Sequence, residues 1–445
     1  MQWRQAELRI VKGFKQVESY LKRQVLSGSY PVSPALKQRL KEMFGTDDPE
    51  QAVKQIITGV RGRGDAALID YSLKIDRVKL GSLEVGKDEV SRAYQQVEPE
   101  LLSALKLAAG RIRSFHVAQK DAFLAGVAGM GPDTLVRTLE RVGVYAPGGT
   151  ACYPSTVLMT AIPAKVAGVK EVILATPPAA NGAVPAATLV AADISGVSRI
   201  FGIGGAQAVA ALAFGTESVP KVDKICGPGN IFVMLAKKLV YGVVGIDGLQ
   251  GPSEVVIIAD ETANPKYCAS DLLAQAEHDP LASAILITTS QWLADEVSRE
   301  VERQLATLKR KAIAAESLAN GGIIAVVASM DEAIRLANLY APEHLCLMVA
   351  KATSYIPQIT NAGCIFVGDK PTVVLGDYVA GPSHALPTGG TARFSSPLNI
   401  TDFLKYMNVV TVDDASLREL GPAAITIARA EGFEAHARAV EKRLE

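Results

Sequence analysis

An α/β protein with two parallel-sheet units and small helical extensions is the fold class predicted for these 445 residues. Three observations carry that expectation. Short apolar runs recur from residue 141 onward, separated by Ala-rich helical stretches, which is the rhythm of βα units. Several of those runs end in Gly and Pro, residues that allow tight turns and close backbone approach where a parallel sheet binds its ligands. Before and after these runs the apolar residues fall at three- and four-residue spacing instead, the helical period.

Taken in order, residues 1–26 are charged and helix-like, without the apolar stretch and small-residue cleavage site of a secretory signal. Residues 34–119 read as helical, most clearly in 48–70 and 88–115. Strands then follow at Val142-Gly143-Val144-Tyr145, Val172-Ile173-Leu174-Ala175, Arg199-Ile200-Phe201-Gly202 and Lys224-Ile225-Cys226. Their ends carry Ala146-Pro147-Gly148-Gly149, Gly202-Ile203-Gly204-Gly205 and Gly227-Pro228-Gly229-Asn230, the layout of a nucleotide-binding unit. A second set has strand candidates at 255–259, 284–288, 323–327, 345–349 and 364–367. Between its first two strands, a helix over 265–277 sets Gln275 and His278 three apart, on one face of one turn. Past residue 398 the pattern changes again, to a helical tail over 414–444.

Composition narrows the function. The chain is too long for one hydrophobic core, and 49% of it is apolar. Lys plus Arg equals Asp plus Glu at 46 each, so there is no global pull toward nucleic acid or an anionic membrane, and a small-molecule partner is expected. No apolar run approaches the roughly 18 residues of a membrane span. Five scattered cysteines with no Cys-x-x-Cys pair suit a reducing, cytoplasmic setting.

Four of the five histidines lie beyond residue 277, each beside acids, Gly or Pro. Imidazole is the commonest metal ligand and titrates nearest neutral pH, so sparing use of this kind points to a gathered site. Taken singly, each has a plainer explanation: His278 as a surface residue at a helix end, His436 as part of the terminal helix, His116 as packing in a long amphipathic helix. In combination, Gln275, His278, Asp377 and His436 supply nitrogen and oxygen donors without thiolate, a mixture zinc accepts. Glu343-His344 is the stronger pair, two proton acceptors of different basicity at the mouth of a strand, with a solvated loop pair as the bland alternative. The glycine clusters are weaker signals. Gly202 to Gln207 departs from Gly-x-Gly-x-x-Gly at its last position, and Thr388-Gly389-Gly390-Thr391-Ala392-Arg393 lacks the Walker lysine and reads as a rigid loop shaping a site. Cys152 and Cys226 near strand ends invite comparison with a thiol nucleophile, but neither has an activating base beside it.

These segments together resemble the histidinol dehydrogenase family. The resemblance is carried by Gly148 to Ser155, Gln275 to Pro280, Ala341 to Leu345, the long run from Gly376 to Leu398, and Glu431 to Ala437. It implies zinc-dependent, NAD-linked oxidation of L-histidinol through L-histidinaldehyde to L-histidine. By that resemblance Gln275, His278, Asp377 and His436 hold zinc and Glu343 and His344 accept protons. Tyr145, Gln207 and Asn230 would contact NAD, and Ser253, His344 and Glu431 would contact substrate alongside the metal ligands, with His384 in support. It also implies two incomplete Rossmann-like domains: an N-terminal helical extension at 1–30, a discontinuous substrate and metal domain at 31–140 and 253–397, an NAD-binding domain at 141–252, and a tail at 398–445 exchanged in a homodimer with shared active sites. Two other readings stay open: a relative oxidising another small alcohol with zinc and NAD, and a zinc hydrolase in which Glu343 activates water.

Overall fold

The computed structural model describes residues 8–23, 32–128, 134–148 and 152–445. The chain divides into two units, one of residues 1–120 and 138–403, the other of 121–137 and 404–445.

In the larger unit both expected sheets form. The first runs Arg199–Phe201, Glu171–Ala175, Arg141–Tyr145, Lys224–Cys226, Gly245–Ile246, with each neighbouring pair parallel. The chain winds outward from Arg141–Tyr145 and then returns to its other side, so the strand order switches between Arg141–Tyr145 and Lys224–Cys226. The second sheet has six parallel strands in the order Arg9–Lys12, Gly322–Val326, Ser283–Thr288, Glu254–Ala259, His344–Met348, Cys364–Val367. Its switch lies between Glu254–Ala259 and His344–Met348. Every residue of those two strands is buried, as parallel strands covered by helices on both faces must be. Side chains such as Val255 and Ile257 point to one face and Val256 and Ile258 to the other, so each face carries its own apolar core. Each such Val or Ile contributes about 1.5–3 kcal/mol by leaving water.

One expectation is revised. Residues 9–12 are not helical: Arg9–Lys12 is an edge strand paired in register with Gly322–Val326, and helix follows only at Phe14–Leu21. A four-residue strand is too short to show a period, and the flanking charges masked it. The helices of the 34–119 region include one whose packing partner the sequence leaves open. Val53, Ile56, Val60 and Leu68 of helix Pro49–Tyr71 share one core with Ile173, Phe201, Leu212 and Val233 of the first sheet and its helices. Helical periodicity reveals that a face is buried but not which sheet it meets.

The smaller unit contains all but the last residue of strand Thr134–Thr138, paired with Leu404–Asn408, and the helices Asp414–Ala430 and Glu434–Leu444, which pack on each other with Leu444 and Val440 over Gly421. Leu420, Ile427 and Phe433 stay exposed on it, and Ile425 is half-buried. Among the described residues no helix is long and apolar enough to cross a membrane.

Candidate functional site

The second sheet brings Glu343 and His344 into a buried constellation at the amino ends of strands Glu254–Ala259 and His344–Met348. Parallel pairing sets His344 opposite Val255, so the peptide groups on either side of Glu254 face the pair. The backbone N–H of Glu254 donates to Glu343 Oε2 at 2.8 Å, and His344 Nδ1–H donates to the Glu254 carbonyl at 3.0 Å. One residue's main chain therefore holds both side chains. With Nδ1 committed as donor, the neutral imidazole carries its lone pair on Nε2. That nitrogen is buried without a hydrogen-bond partner; Asp377 Oδ1 lies 3.5 Å away, within ion-pair range but poorly placed for a hydrogen bond.

Glu254 is itself clamped. Its carboxylate takes both terminal nitrogens of Arg23, at 2.5 and 2.7 Å, and the backbone N–H of Gly389 at 3.2 Å, while the Arg23 guanidinium lies over the Tyr340 ring. The Thr388 to Arg393 loop thus binds a carboxylate of the protein, in keeping with a loop that shapes the site. Glu254 escaped sequence reading; its one signal was an acid heading the all-apolar run Val255 to Ala259.

Charges here are strongly coupled. Burial pushes the Glu343 carboxyl up to about 7. For His344, burial acts to lower the pKa, but the charges of Glu343 and Asp377 prevail and raise it to about 9. Burial would raise Asp377, yet its contact with His344 and the nearby His384 and His278 hold it below the usual carboxylate range. The pKa of His278 falls because protein packs around its ring, Asp377 opposing, although one side of the residue stays exposed. His384 Nδ1–H donates to the Asp377 carbonyl at 2.7 Å, an anchoring contact.

A pocket of about 290 Å³ lies against this group, lined by His344, Asp377, His384, Cys364 and Phe366 among others. In the last turn of helix Pro265–Ala276 stands Gln275, whose buried Nε2 has no partner. His278 lies just past the helix end, its N–H meeting the Gln275 carbonyl at 3.3 Å, so the two share a C-terminal turn and not a mid-helix face. Ser253 is half-buried immediately before Glu254–Ala259. Glu431 and His436 are exposed and belong to the smaller unit, with the His436 ring packed on Phe433 at 5.0 Å. Among the described residues no three His, Cys, Asp or Glu side chains close on a common point. The donors in the larger unit nevertheless fit a borderline divalent cation. His278 is held neutral, Asp377 ionised, and the Gln275 amide presents a buried atom with nothing to bond to.

Tyr145, Gln207 and Asn230 gather at the opposite, carboxyl ends of the first sheet. The Tyr145 hydroxyl accepts from Gly205 N at 3.0 Å, and its burial raises the phenol to about 12. Gln207 lies in the first turn of helix Gly205–Phe214. Asn230 caps helix Ile231–Val240, its Oδ1 accepting from Phe232 N and Val233 N. Gly227 has φ +114, and a Cβ there would lie 2.2 Å from the Tyr145 carbonyl, so only glycine lets these two strand ends meet. Behind the loop, buried Lys237 donates to the Gly227 carbonyl at 2.9 Å and pairs with Asp247, whose other oxygen accepts from Gly227 N at 2.7 Å. Helix N-termini with exposed amides at strand carboxyl ends are suited to a dinucleotide's pyrophosphate. Neither cysteine is activated: Cys226 is buried with its pKa driven well up by burial, and Cys152 is exposed beside the Thr188 hydroxyl at 3.1 Å.

Comparison with known proteins is in keeping with this geometry. The sequence profile described as histidinol dehydrogenase matches residues 40–444. A histidinol dehydrogenase of Dehalococcoides mccartyi strain CBDB1 is 59% identical over 438 residues, 98% of this chain and 100% of that one. One from Clostridium acetobutylicum is 49% identical over 410 residues, covering 91% and 95%. The crystal structure of a histidinol dehydrogenase from Elizabethkingia anophelis superposes with a TM-score of 0.87 at 34% identity, over 100% of this chain and 99% of that one.

Proposed function

The chain belongs to the histidinol dehydrogenase family, and from that premise we propose that it is an oxidoreductase of histidine biosynthesis that takes L-histidinol through L-histidinaldehyde to L-histidine with NAD and zinc. The observation that supports this reading best is the Glu343–His344 pair, held by the Glu254 main chain with His344 Nε2 turned to an unpartnered position.

Gln275, His278 and Asp377 would hold the metal, with His436 as the fourth donor. Tyr145, Gln207 and Asn230 would hold the dinucleotide. When bound, zinc supplies a charge that fixes substrate nitrogens, and NAD accepts hydride from the carbon being oxidised. The chain's own part is proton handling. His344, in its neutral form, takes the hydroxyl proton on Nε2 as the alcohol is oxidised; the charges of Glu343 and Asp377 that raise its pKa to about 9 stabilise the imidazolium that results and make the neutral form the minor one at neutral pH. Glu343, once ionised, takes a proton from the water that adds to the aldehyde, since only a hydrated aldehyde can lose a second hydride. Ser253 and Glu431 line the substrate, a carboxylate at Glu431 suiting a cationic, nitrogen-rich molecule.

Because His436 and Glu431 sit on a separate unit with Ile427 and Phe433 exposed, we also propose a homodimer in which each tail completes the partner's site. The enzyme assignment is tested by absorbance of reduced cofactor on mixing protein, NAD and histidinol. Two equivalents of NADH per histidinol are expected. Reduction with another small alcohol but not histidinol would point to a different alcohol dehydrogenase, and no reduction with any alcohol would favour a hydrolase.

A further inference from the structure

The two terminal atoms of the Gln207 amide have unequal surroundings. Nε2 lies 3.3 Å from Asp76 Oδ2, whereas Oε1 is buried with no hydrogen-bond partner in a residue only 1% exposed. An ionised carboxylate only accepts hydrogen bonds, so the amide must turn its nitrogen to Asp76, and its planarity then sends the carbonyl the other way. A buried carbonyl left without a donor is costly and calls for an explanation. Space is kept beside it: Gly205, at φ +66 and pinned through its N–H to the Tyr145 hydroxyl, would place a Cβ 2.8 Å from Oε1 if it were any other residue. Asp76 comes from a different part of the chain, the end of the short π-helical turn Ser72–Asp76, and Arg77 after it adopts φ +60, so the backbone bends sharply where this side chain is presented.

We propose that Asp76 is a positioning residue for the dinucleotide: by taking the amide nitrogen of Gln207, it commits the Gln207 carbonyl oxygen to an N–H or O–H donor of the cofactor. This rests on Gln207 lying in the cofactor site. Burial raises the Asp76 pKa to about 6, with Arg39 opposing, so the carboxylate is ionised under the alkaline conditions in which the contact is to be measured.

The test is NADH affinity by cofactor fluorescence at about pH 8, far enough above that value to keep Asp76 charged. Three forms of the full-length protein are compared with wild type: Asp76→Asn, Gln207→Leu and the double variant. Loss of one neutral hydrogen bond predicts about five- to tenfold weaker NADH binding for Gln207→Leu. Asp76→Asn, whose amide pairs with Gln207 in either orientation, should lose part of that. The double variant should bind no more weakly than Gln207→Leu alone, because Asp76 acts through that side chain. At saturating NAD, Asp76→Asn should keep its kcat and its KM for histidinol, which a general loss of structure would not allow. If Asp76→Asn does not fold, Asp76→Ser removes the carboxylate at smaller volume and is read in the same way. Repeating the series with ADP-ribose locates the donor: a loss shared with NADH puts it on the adenosine or ribose portion, and a loss confined to NADH puts it on the carboxamide. Wild-type affinity in Asp76→Asn alongside a weakened Gln207→Leu overturns the proposal, as do losses that multiply in the double variant, which would mean that Asp76 meets the cofactor itself. Unchanged affinity in Gln207→Leu is a separate result that removes Gln207 from the cofactor site, and the proposal with it.

Discussion

The two sheets present their chemistry at opposite edges. In the first, Tyr145, Gln207 and Asn230 cluster where strands end and helices Gly205–Phe214 and Ile231–Val240 begin. In the second, Glu254, Glu343, His344 and Cys364 cluster where strands begin, and Gln275 and His278 where helix Pro265–Ala276 ends. The helix macrodipole makes those edges electrically unlike. A carboxyl edge receives helix N-termini, partly positive and rich in free N–H groups, while an amino edge receives helix C-termini, partly negative. On that ground an anionic dinucleotide would suit the former and a cation the latter. Two sheets of one architecture thus offer unlike electrostatics according to the edge at which their polar side chains gather.

The comparison can be broken most decisively by removing metal. Stripping with chelator should abolish turnover, zinc should restore it, and the melting curve should shift little, because both sheets have cores independent of the cation. Full activity in protein shown to be metal-free by elemental analysis would take the cation away from the amino edge.

Next in size come the proton acceptors. Replacing His344 by Asn should lower the alcohol step by about 10²–10⁴-fold, the usual worth of a general base. Glu343→Gln should harm oxidation of supplied histidinaldehyde more than that of histidinol. A carboxylate base works only when deprotonated, and burial raises Glu343 to about 7, so the aldehyde rate should climb with pH through that value. Glu343→Gln should flatten this limb; equal losses in both steps, with the limb intact, would contradict the division of labour.

At the other edge, Lys237→Met leaves Asp247 buried without its counter-ion. The cost should be about 3–5 kcal/mol of stability, as for other broken buried pairs. Denaturant unfolding measures it, and a change under about 1 kcal/mol would deny Lys237 its bracing of the Gly227 loop.

The tail exchange predicts a smaller, partial effect. When subunits carrying His436→Asn are mixed with subunits carrying His278→Asn, one site of each mixed dimer collects both defects and the other neither. About half of normal activity per mixed dimer should return if the sites act independently. No recovery after verified exchange would mean that each tail serves its own chain. Smallest of all, Cys152→Ser should leave both oxidations nearly unchanged, since its exposed thiol has only a hydroxyl beside it. An inactive but folded variant would revive a thiol nucleophile.

Much of this was legible in the residues. The strands of both sheets could be read because a βα rhythm leaves apolar runs of the right length between Ala-rich helices, and Glu343-His344 stood out because an acid and an imidazole flank the start of one. What was not legible depends on partners distant in sequence. Arg9–Lys12 is a strand only because Gly322–Val326 offers it an edge. Glu254 matters through its peptide groups, which every residue has, and Asp76 through one amide 131 residues away. Helix Pro49–Tyr71 showed a buried face but not which sheet it covers.

The clamp on Glu254 also bears on how the protein comes into being. Its contacts reach Arg23 across 231 residues, Glu343 across 89 and Gly389 across 135. Such pairings form only after long loops have closed, and parallel sheets with distant partners fold slowly for that reason. The Glu343–His344 pair therefore acquires its geometry only when the N-terminal segment, the strands Glu254–Ala259 and His344–Met348 and the Thr388 to Arg393 loop have all arrived. During refolding, catalysis should lag behind the return of helical circular dichroism, and a nascent chain still missing its last fifty or so residues would already contain the pair and everything that clamps it.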